Sequence, residues 1–323
     1  MERKAEIVVT GASGFVGSHL CAALQNAGYG LRRLSRNPPT LVAPSERWFR
    51  FDAIERSVGD RDGFVGADAV VHLAARAHVM YEKQGNALSE FRKANVLGAV
   101  RTATIALDAG VKRFVYVSSI GVNGNATQGA AFTERDDVHP VDLYAISKQE
   151  AESELTSMLQ NSKMELVIVR PPLVFGPGNP GNFLRLMQLV ASGVPLPFGS
   201  VRNKKNFIYV ENLSSALIEC AVNNAAAGNV FLVADQPDFS TPELLSRIAH
   251  HMHRRSNTFS FPPLILHTLG RITGTLSSID KMTSSLAVDA SKIRDLLGWV
   301  APVAFDTGLE RTVEWFLTDR GNT

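Results

Sequence analysis

Two short runs hold most of the residues that could do chemistry. Thr10-Gly11-Ala12-Ser13-Gly14-Phe15-Val16-Gly17 spaces three glycines as G-x-x-G-x-x-G, directly after a β-branched segment and at the start of a helical pattern. In such a loop the first glycine turns the chain and the second lets backbone amides approach a diphosphate. The third lets the helix pack closely on the strand, and the helix N-terminus attracts the phosphates. An ordinary glycine-rich turn has the same composition, and the flanking strand and helix favour the phosphate loop. Tyr144-Ala145-Ile146-Ser147-Lys148 sets a phenol and an ammonium at i and i+4, on one helix face. A free phenol, with a pKa of about 10, is a poor base at neutral pH. An adjacent cation, joined by a positively charged nicotinamide, would stabilise the phenolate. Ser118-Ser119 ends an apolar strand pattern, where ligands gather in doubly wound sheets.

No Asp or Glu lies between Val16 and Ser45, so the acid that would bind a ribose 2′-hydroxyl about 20 residues after the glycines is missing. Arg32, Arg33 and Arg36 stand there instead. A guanidinium suits a 2′-phosphate, so NADP is expected over NAD; a solvated basic edge is the alternative. Other chemistries fall away. His250, His251 and His253 have no cysteine or carboxylate completing a ligand set, so no metal is expected. Neither serine lies in a G-x-S-x-G elbow.

The elements that must position these residues follow from the pattern. Strands are predicted at 5–10, 31–35, 47–51, 69–73, 114–118, 166–169 and 230–233. Helices are predicted at 15–26, 89–109, from 142, and at 182–192, 210–223, 241 onward, 289–297 and 306–317. Apolar strands alternating with helices imply an α/β fold, a parallel doubly wound (Rossmann) sheet covered on both faces. After Arg170 the pattern loosens into Pro171-Pro172 and Gly176-Pro177-Gly178-Asn179-Pro180-Gly181, a lobe boundary. The expected organisation is a dinucleotide-binding domain over 1–170, to which 206–234 returns. A smaller C-terminal substrate-binding lobe is then formed by 171–205 and 235–323.

The chain has 323 residues with 45% hydrophobic and 20% charged, ordinary globular usage. A net charge of +2 gives no field for nucleic acid. Cys21 and Cys220, the only cysteines, exclude a disulfide framework, argue for a reducing compartment and read as core residues. No apolar run reaches the roughly 18 residues of a membrane span. A cytoplasmic protein without a membrane or nucleic-acid partner is expected.

Taken in order, several further motifs join these: His72-Leu73-Ala74-Ala75, Val117-Ser118-Ser119, Arg170-Pro171-Pro172-Leu173-Val174-Phe175-Gly176, Asn206-Phe207-Ile208-Tyr209-Val210 and Asp289-Ala290-Ser291-Lys292. Over nearly its whole length the chain resembles the extended short-chain dehydrogenase/reductase family, of the NAD-dependent epimerase/dehydratase type. Within it the likeness is greatest to the nucleotide-sugar branch that reduces UDP-4-keto-6-deoxy-N-acetylhexosamines for bacterial surface polysaccharide, the UDP-N-acetylquinovosamine dehydrogenase type.

The resemblance implies roles. Tyr144 would be the acid/base, Lys148 would bind the nicotinamide ribose, Ser119 would hydrogen-bond the reacting oxygen, and Asn95 would be the family's helix asparagine. Gly11, Ser13, Gly14, Phe15, Val16, Gly17, Arg36, Asp52, Leu73, Ala74, Ala75 and Pro171, with Tyr144 and Lys148, would bind the cofactor, Asp52 through the adenine amino group. Asn182 and Lys205, with Ser119 and Tyr144, would bind the nucleotide sugar. Lys205 stands where the family has an arginine, which gives charge without a bidentate fork. The family's Arg-x-Gly-Asp-like segment is not found near Lys281.

The resemblance also implies a homodimer built from helices at 89–109 and 142–159, whose alanines Ala94, Ala103, Ala106 and Ala151 would permit close approach. The expected activity is NAD(P)H-dependent 4-keto reduction. A UDP-hexose or UDP-N-acetylhexosamine 4-epimerase is the first alternative. A reductase of another small ketone, or a non-catalytic nucleotide sensor, is more distant.

Overall fold

The computed structural model describes residues 4–43, 46–52, 61–77 and 87–320. Strand β1 (Glu6–Thr10) is followed by α1 (Phe15–Asn26), β2 (Gly30–Ser35), β3 (Trp48–Arg50) and β4 (Ala69–His72). Then come α2 (Ala87–Phe91), a π-helical segment Arg92–Leu97, α3 (Gly98–Asp108), β5 (Arg113–Val117), α4 (Leu143–Leu159) and β6 (Glu165–Arg170). All the sheet pairings are parallel, in the order β3-β2-β1-β4-β5-β6-β9, with β9 at Val230–Leu232. Helices cover both faces, so the strands read as near-continuous apolar runs. Strand order reverses between β1 and β4, which opens the ligand crevice of this architecture over their carboxyl ends.

Two cores follow from the alternation of side chains. Ile7, Val9, Val115 and Val167 pack with Cys21 and Cys220 on one face. Val8, Val70, Phe114 and Tyr116 pack with Ala103, Ala106 and Ala151 on the other. Those three alanines are fully buried within one chain, which corrects the expectation that they permit close approach of a second copy. The predicted helix at 89–109 is interrupted by the π segment, which shifts the phase of everything after it. What it turns outward is Leu97, 63% exposed, with Arg92 in a fork on Glu150 of α4.

Beyond β6 lie β7 (Leu173–Phe175), α5 (Asn182–Ser192), β8 (Phe207–Tyr209) and α6 (Val210–Val222), with β7 and β8 paired in parallel. Next are α7 (Thr241–His251), α8 (Pro263–Thr273), α9 (Leu276–Thr283), α10 (Ser291–Leu297) and α11 (Phe305–Arg320). An aromatic core of Phe175, Phe183, Phe207, Phe239 and Phe305 joins β7, β8, α5 and α11. Ser240 caps α7 in a reciprocal box with Glu243. Helices α8 and α9 have no counterpart among the predicted elements.

Candidate functional site

The glycine loop leaves β1 with Gly11 at φ +70°, the left-handed region that a side chain strains. A Cβ there would meet the Ala74 amide at 2.9 Å, and one on Gly17 would fall 2.1 Å from the Gly11 carbonyl. Both positions need glycine for contact, one with the β4 loop and one within the turn. Gly14 caps α1 without any side-chain bond, and no acid lies in the first turn. Its leading amides therefore have no intrahelical acceptor and form a cradle fitted to a diphosphate. That cradle fits a dinucleotide. Gly176 and Pro177 close over the same helix: a Cβ on Gly176 would lie 3.5 Å from Phe15, and His19 Nε2 is 3.0 Å from the Pro177 carbonyl. Sequence reasoning missed His19, whose partner lies 158 residues away.

At the end of β2, where an acid would select NAD, Ser35 Oγ lies 3.0 Å from Ser13 Oγ. Exposed Arg36 follows. Arg32 and Arg33 are committed elsewhere. Arg32 Nε donates to Glu6 at 2.9 Å and its Nη1 to the Val65 carbonyl. Arg33 is buried, donates to Gln25 at 2.7 Å and pairs with Glu46 at 3.2 Å. The reading of three arginines as a phosphate site thus contracts to Arg36. Asp52 follows β3, with its carbonyl accepting from Arg101 at 3.2 Å.

Leu73, Ala74 and Ala75 leave β4 beside the glycine loop. His72 is clamped there, with Nδ1 2.9 Å from Thr10 Oγ1. Burial pulls its pKa down to about 3, with Lys148 adding to the effect, so the ring is neutral. Asn95 is buried in the π segment. It accepts from the Arg76 amide at 2.8 Å and donates to the Arg76 carbonyl and to Ser147 Oγ.

Asp142 caps α4 by accepting from the Ala145 amide at 2.8 Å. Tyr144 and Lys148 lie on the first two turns, and the Tyr144 ring meets Phe91 at 6.2 Å. The Lys148 ammonium is almost wholly buried; it donates to the Val117 carbonyl at 2.8 Å and sits 4.6 Å above the Tyr116 ring. Ser119 accepts from the Gly121 amide at 3.1 Å. A Cβ on Gly121 would lie 3.2 Å from Ala145 and 3.4 Å from Ser119 Oγ, so this glycine lets α4 approach the serine. Pro171 is buried behind, its carbonyl accepting from Ile120 at 2.9 Å. The structure thus brings Ser119, Tyr144 and Lys148 to the carboxyl end of β5.

Electrostatics departs from the sequence expectation. Burial, and then the charge of Asp142, pushes Tyr144 up to about 12. Burial pulls Lys148 down to about 7, opposed by Glu152 one turn on. Without a bound cation the phenol stays protonated. Glu152 itself is held by Arg170 in a buried fork, with Arg170 Nη1 on Asn123 at 3.0 Å.

On the other side, Asn182 is an exposed first residue of α5. Its neighbour Asn179 is buried, tied to the Val174 carbonyl and the Gly181 amide, and shapes the loop. Lys205, expected to meet the sugar diphosphate, bridges to Phe239 and Leu286. Burial lowers its pKa to about 8.

This fold and site define a nucleotide-binding protein of the short-chain dehydrogenase/reductase type. The profile of the NAD dependent epimerase/dehydratase family matches residues 7–234, and the chain belongs to that family. It is 37% identical over 314 residues to the UDP-glucose 4-epimerase of Vibrio cholerae, covering 96% of this chain and 95% of that one. It is 28% identical over 327 residues to the N-acetyl-alpha-D-glucosaminyl-diphospho-ditrans,octacis-undecaprenol 4-epimerase of Escherichia coli O157:H7, covering 96% and 94%. The structure of MoeE5 in complex with UDP-glucuronic acid and NAD superposes with a TM-score of 0.77 at 25% identity, covering 98% and 99%. The chain is accordingly an enzyme of a family acting on nucleotide sugars.

Proposed function

We propose that this protein reduces the 4-keto group of a UDP-linked 6-deoxy-N-acetylhexosamine. The observation that carries the chemistry is the convergence of Tyr144, Lys148 and Ser119 at the carboxyl end of β5, beside a loop fitted to a diphosphate. A bound nicotinamide supplies the hydride. Tyr144 gives the proton to the C4 oxygen, and Ser119 hydrogen-bonds that oxygen as charge develops on it. Lys148 already spends one N–H on Val117, which fixes its ammonium and leaves its other donors for a ribose. Gly11, Ser13, Gly14, Phe15, Val16 and Gly17 hold the diphosphate. Asp52 serves the adenine, and Leu73, Ala74, Ala75 and Pro171 line the crevice. Asn182 and Lys205 hold the sugar diphosphate, from a lobe formed by 171–205 and 235–323. Asn95 positions α4.

The reducing direction rests on the end of β2. Ser35 and Arg36 stand where an acid would grip NAD, which favours NADPH, exchanged at every turnover. A second reading, 4-epimerisation, is favoured by the name of the Vibrio cholerae relative. An epimerase returns its hydride to the other face and consumes no cofactor.

Incubation with a UDP-4-keto-6-deoxy-N-acetylhexosamine and NADPH separates them. Stoichiometric loss of reduced-nicotinamide absorbance is the expected result. No loss, with interconversion of UDP-N-acetylglucosamine and UDP-N-acetylgalactosamine in the absence of added cofactor, would establish the epimerase instead.

A further inference from the structure

Helix α8 is apolar on the side that faces away from the protein. Its 11 residues extend about 16 Å at 1.5 Å per residue. Leu266 and Gly270 form the buried line; a Cβ on Gly270 would lie 2.5 Å from Ile279 of α9, so the two helices touch there. The opposite arc carries Leu264, 81% exposed, Ile272, 78%, Ile265, 48%, and Leu269, 46%. At 100° per residue these four span about 140°, centred roughly opposite the buried line. Exposed Thr268 is the one polar residue inside that arc, its hydroxyl donating back to the Leu264 carbonyl. A surface helix ordinarily turns polar residues outward, and an arc this rich in exposed Leu and Ile marks a surface that meets something.

The charge beside the stripe says what. Between residues 253 and 283 the chain carries Arg254, Arg255, Arg271 and Lys281 against a single acid, Asp280. That acid faces His267, Nδ1 to Oδ1 3.0 Å. Arg271 borders the apolar arc, one residue before Ile272. Arg254 donates to the Ala191 carbonyl, while Arg255 and Arg271 are exposed without a side-chain partner among the described residues. An apolar Leu/Ile arc bordered by Arg271, on a stretch with four cations against one acid, suits an anionic lipid surface, where buried apolar area and attraction to acidic lipids add.

We propose that α8 docks the protein on an anionic bilayer surface, its aliphatic arc entering the headgroup boundary and Arg255 and Arg271 meeting lipid phosphates. From α8 the chain runs through α9 to Leu286, which bridges to Lys205. The sequence expectation of no membrane partner rested on the lack of a spanning run, which bears on crossing a bilayer and not on resting against one. The inference does not depend on the direction of the C4 chemistry.

The test is sedimentation of the full chain with vesicles of phosphatidylglycerol and phosphatidylcholine, or of phosphatidylcholine alone, without substrate. Binding to the anionic vesicles is expected, at least tenfold weaker on phosphatidylcholine or in high salt. Leu264→Ser/Ile272→Ser and Arg255→Gln/Arg271→Gln should each weaken it at least tenfold. Because all four side chains are exposed, melting temperature and turnover of a soluble nucleotide sugar should not change. Failure to sediment with anionic vesicles would overturn the proposal, as would variants that bind like the wild type. So would a Leu264→Ser/Ile272→Ser variant that dissociates an oligomer in light scattering while binding vesicles normally, since the arc would then belong to a second copy.

Discussion

Asn95 Nδ2 donates to Ser147 Oγ at 2.9 Å, and Ser147 in turn donates to the Tyr144 carbonyl at 2.7 Å. The amide thereby links the β4 loop, through Arg76, to the helix turn that carries Tyr144 and Lys148. The π segment makes this reach: an extra residue per turn is a common device for aiming a side chain at a functional site. Asn95→Ala removes three hydrogen bonds, two of them to the Arg76 backbone. A loss of about 1–3 kcal/mol in urea unfolding is expected, together with a lower kcat as α4 loosens against the crevice.

Tyr144→Phe should reduce turnover by roughly 10²–10⁴-fold, the usual contribution of a positioned acid/base. Cofactor affinity should stay near wild type, because only the transferable proton is lost. Ser119→Ala should cost roughly 10- to 1000-fold, as removal of one donor to a developing oxyanion does. Steady-state rates and fluorescence titration of the same preparations check both. A near-normal rate in Tyr144→Phe removes the assignment.

Lys148 makes stability depend on pH. Burial lowers its pKa from 10.5 to about 7 in the folded protein, so between those values the unfolded chain binds more protons and stability rises with pH. Below about 7 both states carry the charge and the burial penalty is fully felt. Above 10.5 it is relieved. Tyr144 has the opposite sign, since a phenol raised from 10.0 to about 12 loses its proton first in the unfolded chain. Subtracting urea curves of Lys148→Met from wild type isolates the lysine. The wild type should gain on the variant between pH 7 and pH 10, and a flat difference would count against a deprotonating Lys148.

Arg36 and Arg32 should behave differently although they lie four residues apart. Arg36→Ala is expected to weaken NADPH by about tenfold, the 1.4 kcal/mol of a modest charge-assisted contact, and to leave NADH unchanged. Arg32→Ala should lower the melting temperature without altering cofactor choice, because it strips Glu6 of a partner held at 2.9 Å. Titration of both cofactors by nicotinamide fluorescence decides. NADH binding tenfold or more tightly than NADPH in the wild type would refute the arginine argument.

The difference between these two arginines also shows what the sequence could and could not convey. The glycine loop and the strand sequence are local, each set by a few neighbouring residues, and they stand where their patterns put them. Whether an arginine is free depends on sheet register: β1 pairs with β2 so that Val8 faces Arg32, which carries Glu6 within reach. That Lys205 is hemmed in by Phe239 and Leu286 depends on residues 34 and 81 positions away, beyond the reach of a local pattern. The alanines of α3 and α4 were misplaced because a small residue suits packing on the sheet and packing on a second copy equally well, and only the fold shows that Ala103, Ala106 and Ala151 join the core. Helices α8 and α9 escaped notice as well. The Pro262-Pro263 start of α8 reads as loop.

The last expectation concerns assembly. With Ala103, Ala106 and Ala151 facing the core, any pairing of the α3–α4 face must use what stands outward, chiefly Leu97 and the Arg92–Glu150 fork. A leucine 63% exposed beside a bidentate ion pair is consistent with a two-fold interface, where each copy presents the same patch to the other. Light scattering at micromolar concentration should report a dimer. Leu97→Glu would place two like charges near the two-fold axis and should shift the weight-average mass toward the monomer, while the melting temperature at high dilution stays unchanged. A wild type that is monomeric at micromolar concentration removes the dimer altogether. A Leu97→Glu protein that remains dimeric moves the interface to another face.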